Sequence, residues 1–409
     1  MLLYADDNLG IKKTYQELFD ALNNKTVLKK YIYTSSVYDV IESLVYAMVN
    51  GYNVVLLDGD FSEKELENLG LDNDLLEEKY LNNNPRQIQS QEELIDAIKE
   101  NENICTIGIH TSGTTGVPKR FDHSLHSLLR NIKVNAKHQG DIWGFAYNVT
   151  HFAGIQVLLQ GLCNQNPIIN IFGDNAKSAE SVIDKYLCNC ISATPTYYRN
   201  FILVSDDIHE QVKNITFGGE RFSDNLLKKI HFKFPNARIR NVYASTEVGS
   251  LLSGDNESFS IPDNLKNMIK ISDDNHLLIH KSLLLHKKID EEWYDTNDVV
   301  KLKSDGTFTI LNRESDFLNI GGYKVNPLEV EELICKVAGV TDAVVYGRDN
   351  SVMGKLLAAE VVTEDKNSWA DTKKLIIDTL KANLQVFKVP RIIKNVDSIS
   401  KSRTGKKVR

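Results

Sequence analysis

The run Thr111-Ser112-Gly113-Thr114-Thr115-Gly116-Val117-Pro118-Lys119 concentrates groups that grip phosphate. Its glycines let backbone N–H groups converge on an anion, its hydroxyls add donors, and Lys119 adds a point charge. The spacing is not that of a Walker loop, which needs G-x-x-x-x-G-K-[ST]. A polar surface loop between strand and helix is the plain alternative, but a turn needs fewer hydroxyls than this run carries. Other residues in the chain have chemistry without an obvious assignment. Gly218-Gly219-Glu220 would alone be read as a turn, and the basic tail Lys401 to Arg409 as a solvated end. His123 and His151 are lone histidines, which more often serve structure than catalysis.

A phosphate loop must be held by regular elements, and the flanking sequence supplies them. Ile104 to Gly113 reads as a strand running into the loop, and His123 to His138 follows with helical spacing. Asn53 to Asp60 reads as a buried strand, preceded by a helix that Gly51 ends. Pro167 to Gly173 is a strand, a helix runs through Ile183, and CISATP (Cys190 to Pro195) is another strand. This alternation predicts parallel α/β layers. After Tyr243 short antiparallel strands take over, with Ser304-Asp305-Gly306 as a turn between two of them. From Arg313 a new unit begins. It has a helix with Pro327 near its start and Gly339 at its end, two strands (Val340 to Gly347, Leu356 to Thr363) and a helix from Thr372. The expected fold class is α/β. A large domain, residues 1–312, has layered parallel subdomains and a small β-subdomain, and a small mobile α+β lid occupies 313–409.

The chain has 409 residues, more than one core usually supports. A net charge of -7 argues against a dedicated nucleic-acid binder. No run of 18 apolar residues predicts a membrane span, and the start lacks the features of a signal peptide. The five cysteines, Cys105, Cys163, Cys188, Cys190 and Cys335, are odd in number and lack CxxC spacing. They read as free thiols in a cytoplasmic protein.

TSGTTGVPK resembles the phosphate loop of the adenylate-forming superfamily: acyl- and aryl-CoA synthetases, peptide-synthetase adenylation domains and luciferases. Further motifs in the family's order support the resemblance. Gly218, Gly219 and Glu220 resemble a segment beside the acyl pocket and adenine. Tyr243-Ala244-Ser245-Thr246-Glu247 resembles Y-G-x-T-E, which implies that Tyr243 stacks on adenine, Thr246 contacts the α-phosphate and Glu247 holds magnesium. Trp293 to Asp298 resembles W-x-x-T-G-D, implying that Asp298 binds the ribose hydroxyls. Asn312 onward, through Arg313, Asp316, Gly322, Pro327, Glu329 and Glu331, resembles the segment in which Arg313 would contact ribose and Ser315 would mark the interdomain hinge. Ser402 to Lys406 resembles the closing motif, making Lys406 the catalytic lysine. His151 resembles the residue at the mouth of the acyl pocket, with Gly218 and Ala244 beside it, and Phe145, Tyr147 and Phe152 are candidate walls. KKTYQELF (Lys12 to Phe19) matches an early family segment.

The chain departs from the pattern at Ala244, Asn297 and Asn312, each in place of glycine, and at Asn319 in place of lysine. Asn297 suits that place if its φ is positive. Ala244 narrows the pocket, favouring a small or aromatic acid, and Lys324 is the candidate to replace the charge lost at Asn319. The chain is also shorter than most members in its first subdomain and β-subdomain, which raises partner-assisted folding or a homodimer as an expectation. The resemblance implies ATP-dependent formation of an acyl-AMP with release of pyrophosphate. Transfer to the thiol of coenzyme A, or of a phosphopantetheine on a separate acyl carrier protein, would follow. An acyl-AMP ligase that serves an amine or a partner protein, and a non-catalytic nucleotide-binding homologue, are the alternatives.

Overall fold

The computed structural model describes all residues except 112–118, 174–175, 206, 221–223, 286–288, 321–322, 351–353, 366–367, 403–406 and 409. Two parallel-rich sheets form its larger part. One has eight strands, in the order Gly249–Gly254, Arg238–Ser245, Asn214–Gly218, Cys190–Ala193, Trp143–Phe145, Ile168–Asn170, Leu2–Asp6 and Ile11–Thr14. Its six inner strands are parallel, and an antiparallel strand closes each edge. The other has four strands, Tyr31–Thr34, Val54–Asp58, Thr106–Thr111 and Lys119–Ser124, of which only the last runs antiparallel.

Sequence and local structure agree closely in these layers. Val54–Asp58 is buried throughout, as a strand covered on both faces must be. The helix Val37–Asn50 starts where the Ser36 side chain accepts from the Asp39 N–H and stops at Gly51, whose φ is 73°. One contiguous core joins the two sheets, from Leu3 and Leu18 through Leu44 and Ile107 to Leu158.

The segment after the phosphate loop differs from expectation. It is a strand, Lys119–Ser124, and the helix behind it covers only Leu125–Leu129, with one further turn at Ala136–His138. Tertiary bonds override its helical spacing. Gln160 bonds both the N–H and the C=O of Lys133, and Asn131 donates to the Ser250 carbonyl. These bonds compete with the helical ladder for the same backbone groups.

A five-stranded antiparallel sheet follows, in the order Ser258–Phe259, Phe308–Arg313, Trp293–Leu302, His276–His280 and Ile269–Ile271, with its own small core. Gly306, at φ 81°, lies in the turn between two of these strands. Beyond Arg313 a separate core gathers Val325, Ile334, Val345, Leu357, Ile376 and Ile393 around a three-stranded sheet, Val340–Asn350, Gly354–Thr363 and Ile392–Asn395. The helices Pro327–Ile334 and Trp369–Asn383 contribute to it. All five cysteines are free, and burial pushes the thiols of Cys105, Cys188 and Cys190 up to about 12, which leaves them unreactive. Among the described residues, no helix is long and apolar enough to cross a membrane.

Candidate active site

Parallel strands present their carboxyl ends on one edge, and ligands in such sheets bind there, where the strand order reverses. In the large sheet the chain leaves Trp143–Phe145 toward Ile168–Asn170 on one side. It leaves Cys190–Ala193 toward Asn214–Gly218 on the other. The switch point therefore lies between Trp143–Phe145 and Cys190–Ala193. Sequence candidates come to this edge from three of four neighbouring strands. Tyr147 and His151 follow the first, Gly219 and Glu220 the third, and Thr246 and Glu247 the fourth, while Thr194 and Thr196, which carried no motif, follow the second.

Thr246 and Glu247 sit in the hairpin turn between Arg238–Ser245 and Gly249–Gly254, and a register shift after Tyr243 re-aims the strand there. The turn is held from outside. Arg130 donates to the Val248 carbonyl at 2.8 Å, and the Leu285 N–H donates to the Glu247 carbonyl at 2.9 Å. The β-subdomain brings two more candidates together, because Asp298 and Arg313 are cross-strand partners in register. The Tyr243 hydroxyl donates to Asp298 Oδ2 at 2.5 Å, and Arg313 Nε lies 3.4 Å from Asp298 Oδ1. Burial raises the Asp298 carboxyl above its ordinary value of 3.8, more than Arg313, Tyr243 and Thr296 together lower it. Glu247 and Tyr294 belong to the same charge cluster, and burial raises the Tyr294 phenol. Asn297 has a φ of 57°, the left-handed conformation its replacement of glycine requires.

Glu220 is tied inward: its Oε2 accepts from the Thr196 N–H at 3.1 Å and from the Thr196 hydroxyl at 2.6 Å. Gly219, at φ 81°, lets the chain turn into it. Tyr147 is buried, and its hydroxyl would lie 3.1 Å from a Cβ placed on Gly218. Ala244 is half-buried opposite Ser250. Phe145 is buried in the core, whereas Phe152 lies with its ring tilted 48° and centred 5.4 Å from that of the buried His123. His151 Nε2 lies 3.2 Å from Asp58 Oδ2, a residue of the other sheet.

Asp58 carried no motif, and neither did Arg130 or Asn131. The legible signal for Asp58 was an acidic residue closing an apolar strand just before Gly59, where a Cβ would meet the Thr34 carbonyl at 2.4 Å.

Residues 42–273 match the family described as AMP-binding enzyme, and residues 329–406 match the AMP-binding enzyme C-terminal domain. The chain belongs to the AMP-binding enzyme family. A 2-succinylbenzoate–CoA ligase of Listeria monocytogenes serotype 4b is 24% identical over 320 residues, which are 73% of this chain and 67% of that protein. The o-succinylbenzoate coenzyme A synthetase of Bacillus subtilis, in complex with ATP and magnesium ion, superposes with a TM-score of 0.67 at 17% identity. The match covers 99% of this chain and 95% of that one. An anthranilate CoA ligase in complex with anthranoyl-AMP gives a TM-score of 0.73 at 16% identity, over 99% and 92% of the two chains. These likenesses establish the mixed α/β fold with parallel sheets and a separate C-terminal region.

Several family motifs lie partly outside the described residues: Ser112, Gly113, Thr114, Thr115, Gly116, Gly322 and Lys406, with the side chains of Thr111 and Lys324. Their anchors are described. Thr111 pairs with Lys119 at the base of the phosphate loop. Lys401 bridges Lys407, and the Lys407 ammonium, 7% exposed, lies 2.6 Å from Asp342 Oδ1. The tail at Lys407 is therefore pinned rather than frayed. Lys401 lies in the field of both Asp342 and Glu220, which brings this segment toward the Gly218 to Glu220 turn. Ser315 is exposed in the turn Glu314–Asp316, directly after Arg313. Among the described residues no group of three or more His, Cys, Asp or Glu side chains forms a metal cage. Glu247 alone fits magnesium, which is commonly held by one or two carboxylates with phosphate oxygens and water.

Proposed function

We propose that this protein is an AMP-forming acid–thiol ligase with ATP, a small or aromatic carboxylic acid and coenzyme A as substrates. The observation that carries this reading is the convergence of Tyr243, Glu247, Asp298 and Arg313 at the carboxyl edge of a switch-point sheet, in a chain of the AMP-binding enzyme family. The coenzyme A ligases it resembles, acting on 2-succinylbenzoate and anthranilate, support an aromatic acid and coenzyme A as acceptor.

In the first half-reaction a carboxylate oxygen of the acid attacks the α-phosphorus of ATP. The bond to the bridging oxygen breaks, and pyrophosphate leaves. Two anions must meet, so donors and positive charge have to be in place beforehand. Lys119 and the loop from Thr111 to Gly116 hold the β- and γ-phosphates. Tyr243 and Gly219 face the adenine, Asp298 and Arg313 hold the ribose, and Thr246 and Lys406 meet the charge that develops at the α-phosphate and carboxylate. Magnesium held by Glu247 would neutralise phosphate charge. In the second half-reaction the thiol loses its proton, its sulfur attacks the acyl carbonyl, and AMP leaves. Residues 313–409 act as a lid that turns about Ser315 between the two steps.

Lys406→Ala should lower acid-dependent pyrophosphate exchange by at least about 10²–10³ with the fold intact by circular dichroism. Exchange near the wild-type rate would sink the assignment. Ser315→Pro should impair thioester formation more than adenylation; equal losses would remove the hinge. Pyrophosphate release over a panel of acids, with coenzyme A or an acyl carrier protein added, identifies substrate and acceptor. Gel filtration across concentrations tests the homodimer, and cell fractionation tests the cytoplasmic placement.

A further inference from the structure

The turn from Asn148 to His151 is built around a carboxylate from a different sheet. Asp58 Oδ1 accepts from Asn148 Nδ2 at 3.0 Å and from the Thr150 hydroxyl, and Asp58 Oδ2 lies 3.2 Å from His151 Nε2. The turn is also closed internally. The Thr150 N–H donates to Asn148 Oδ1, and the His151 N–H donates to the Asn148 carbonyl at 3.2 Å. Gly154 is required by the same compact turn, since a Cβ there would sit 2.1 Å from the Asn148 carbonyl oxygen. His151 then opens the helix Phe152–Cys163 without capping it through its side chain. The imidazole is thus spared from helix capping and directed to Asp58.

This assembly stands at the switch point and touches the catalytic turn. Phe152 Cζ lies 3.4 Å from where a Cβ on Gly249 would sit, and Gly249 follows the Thr246-Glu247 turn. Burial opposes the charge on Asp58, yet His151, Thr150 and Asn148 outweigh it, and the carboxyl lies below its ordinary value of 3.8. The 7% exposed carboxylate and the 16% exposed imidazole are thus held side by side, away from bulk water. The contact has ion-pair distance but lacks the alignment of a hydrogen bond. Such contacts in ligand-free sites often tighten when substrate arrives.

We infer that Asp58 is a positioning residue. It fixes the His151 ring at the carboxyl edge, where the ring meets the carboxylate of the acid substrate, and so joins the two α/β subdomains to acid binding rather than to nucleotide binding. The inference rests on the adenylation reading above.

The test is a double-mutant cycle of Asp58→Asn and His151→Gln, read as the KM for the acid and the KM for ATP in pyrophosphate release. Asn at 58 keeps an acceptor for Thr150 but removes the charge. Each single variant should raise the acid KM about tenfold, the double variant no further, and the ATP KM should stay within about twofold. Equal rises in the two KM values, or multiplied effects in the double variant, would overturn the inference, because a merely structural Asp58 acts independently of His151. A urea-unfolding cycle on the same four proteins needs no turnover. Asp58→Asn should destabilise less when His151 is already Gln, and strict additivity also overturns the inference. A wild-type chain that turns over no acid while the unfolding cycle shows coupling would instead overturn the adenylation reading, and with it the role in acid binding.

Discussion

Asp58 and Asp298 stand in different layers, one at the end of a parallel strand and one in the antiparallel subdomain. They are almost equally buried, at 7% and 5% exposed. Their carboxyl groups nevertheless move in opposite directions, Asp58 below its ordinary value and Asp298 above it. Each has three favourable partners, and the difference is the like charge of Glu247 set against Asp298. Asp58 has Asn148, Thr150 and the charge of His151 against burial alone, whereas Asp298 has Tyr243, Thr296 and Arg313 against burial and the like charge of Glu247. A buried carboxylate whose charge its neighbours outweigh is settled, while one opposed by a like charge gains from further donors. Ribose hydroxyls are such donors. Under the proposed function the contrast separates a residue that organises the site from one that binds the nucleotide.

The largest effect should come from removing the acceptor on the nucleotide side. Asp298→Asn should lower kcat/KM for ATP by about 10–100-fold, the range expected when a hydrogen bond to a charged group is lost. Asp58→Asn should leave the KM for ATP nearly unchanged. If both substitutions weakened ATP equally, the division of labour between the two sides would collapse.

Stability against pH sharpens the same contrast, with effects of about 1–3 kcal/mol. The folded pKa of Asp58 is lowered, so its ionised form contributes stability above 3.8, and this is lost as pH falls through the folded value. The folded pKa of Asp298 is raised, so the folded state holds its proton more tightly. Stability is then lost as pH rises from 3.8 through the folded value. Urea unfolding at acid and neutral pH should show Asp58→Asn less stable than wild type at neutral pH, with the gap closing in acid. Asp298→Asn should move the other way, gaining on wild type as pH rises. Parallel pH dependences would show that the like charge of Glu247 does not distinguish the two carboxylates.

The two sides also differed in how far they could be read from sequence. The motifs of the proposed nucleotide side are local. Tyr243 to Glu247, Trp293 to Asp298 and Asn312 to Arg313 each carry a motif, and the hairpin register then sets Asp298 opposite Arg313. The alternation of strands and helices likewise read through, since Val54–Asp58 and Val37–Asn50 follow burial and capping rules within one segment. The acid side was not legible in the same way. Asp58 meets His151 across more than ninety positions of sequence, between strands of different sheets, and no local spacing encodes that. The helix expected after the phosphate loop failed for the same reason, since Gln160 and Ser250 claim its polar groups from a distance. In each case the missing information was a tertiary polar contact.

A smaller effect should follow from Tyr243→Phe, which keeps an aromatic face for adenine and removes only the donor to Asp298. Losing that bond should cost about 1 kcal/mol of nucleotide affinity, roughly fivefold in the KM for ATP. It should also shift the fall in stability tied to Asp298 to higher pH, because one of the groups lowering its carboxyl is gone. An unchanged pH dependence would mean that the Tyr243 hydroxyl does not help to hold the carboxylate charge.

Asn297 offers the smallest and most specific check on the nucleotide side. Its φ of 57° places it in the left-handed region, one residue before Asp298, and its N–H donates to Asp295 Oδ1 at 2.7 Å whatever its side chain. Asn pays little to adopt that conformation and glycine pays nothing, but glycine leaves a more flexible unfolded chain. Asn297→Gly should therefore change stability by no more than about 0.5 kcal/mol and leave the KM for ATP within about twofold. Asn297→Val, with a branched side chain forced to the same φ, should cost more than about 1 kcal/mol. If Asn297→Gly weakened ATP tenfold at unchanged stability, the Asn297 side chain would itself be a nucleotide contact. Asp298 would then share the nucleotide-binding role proposed for it.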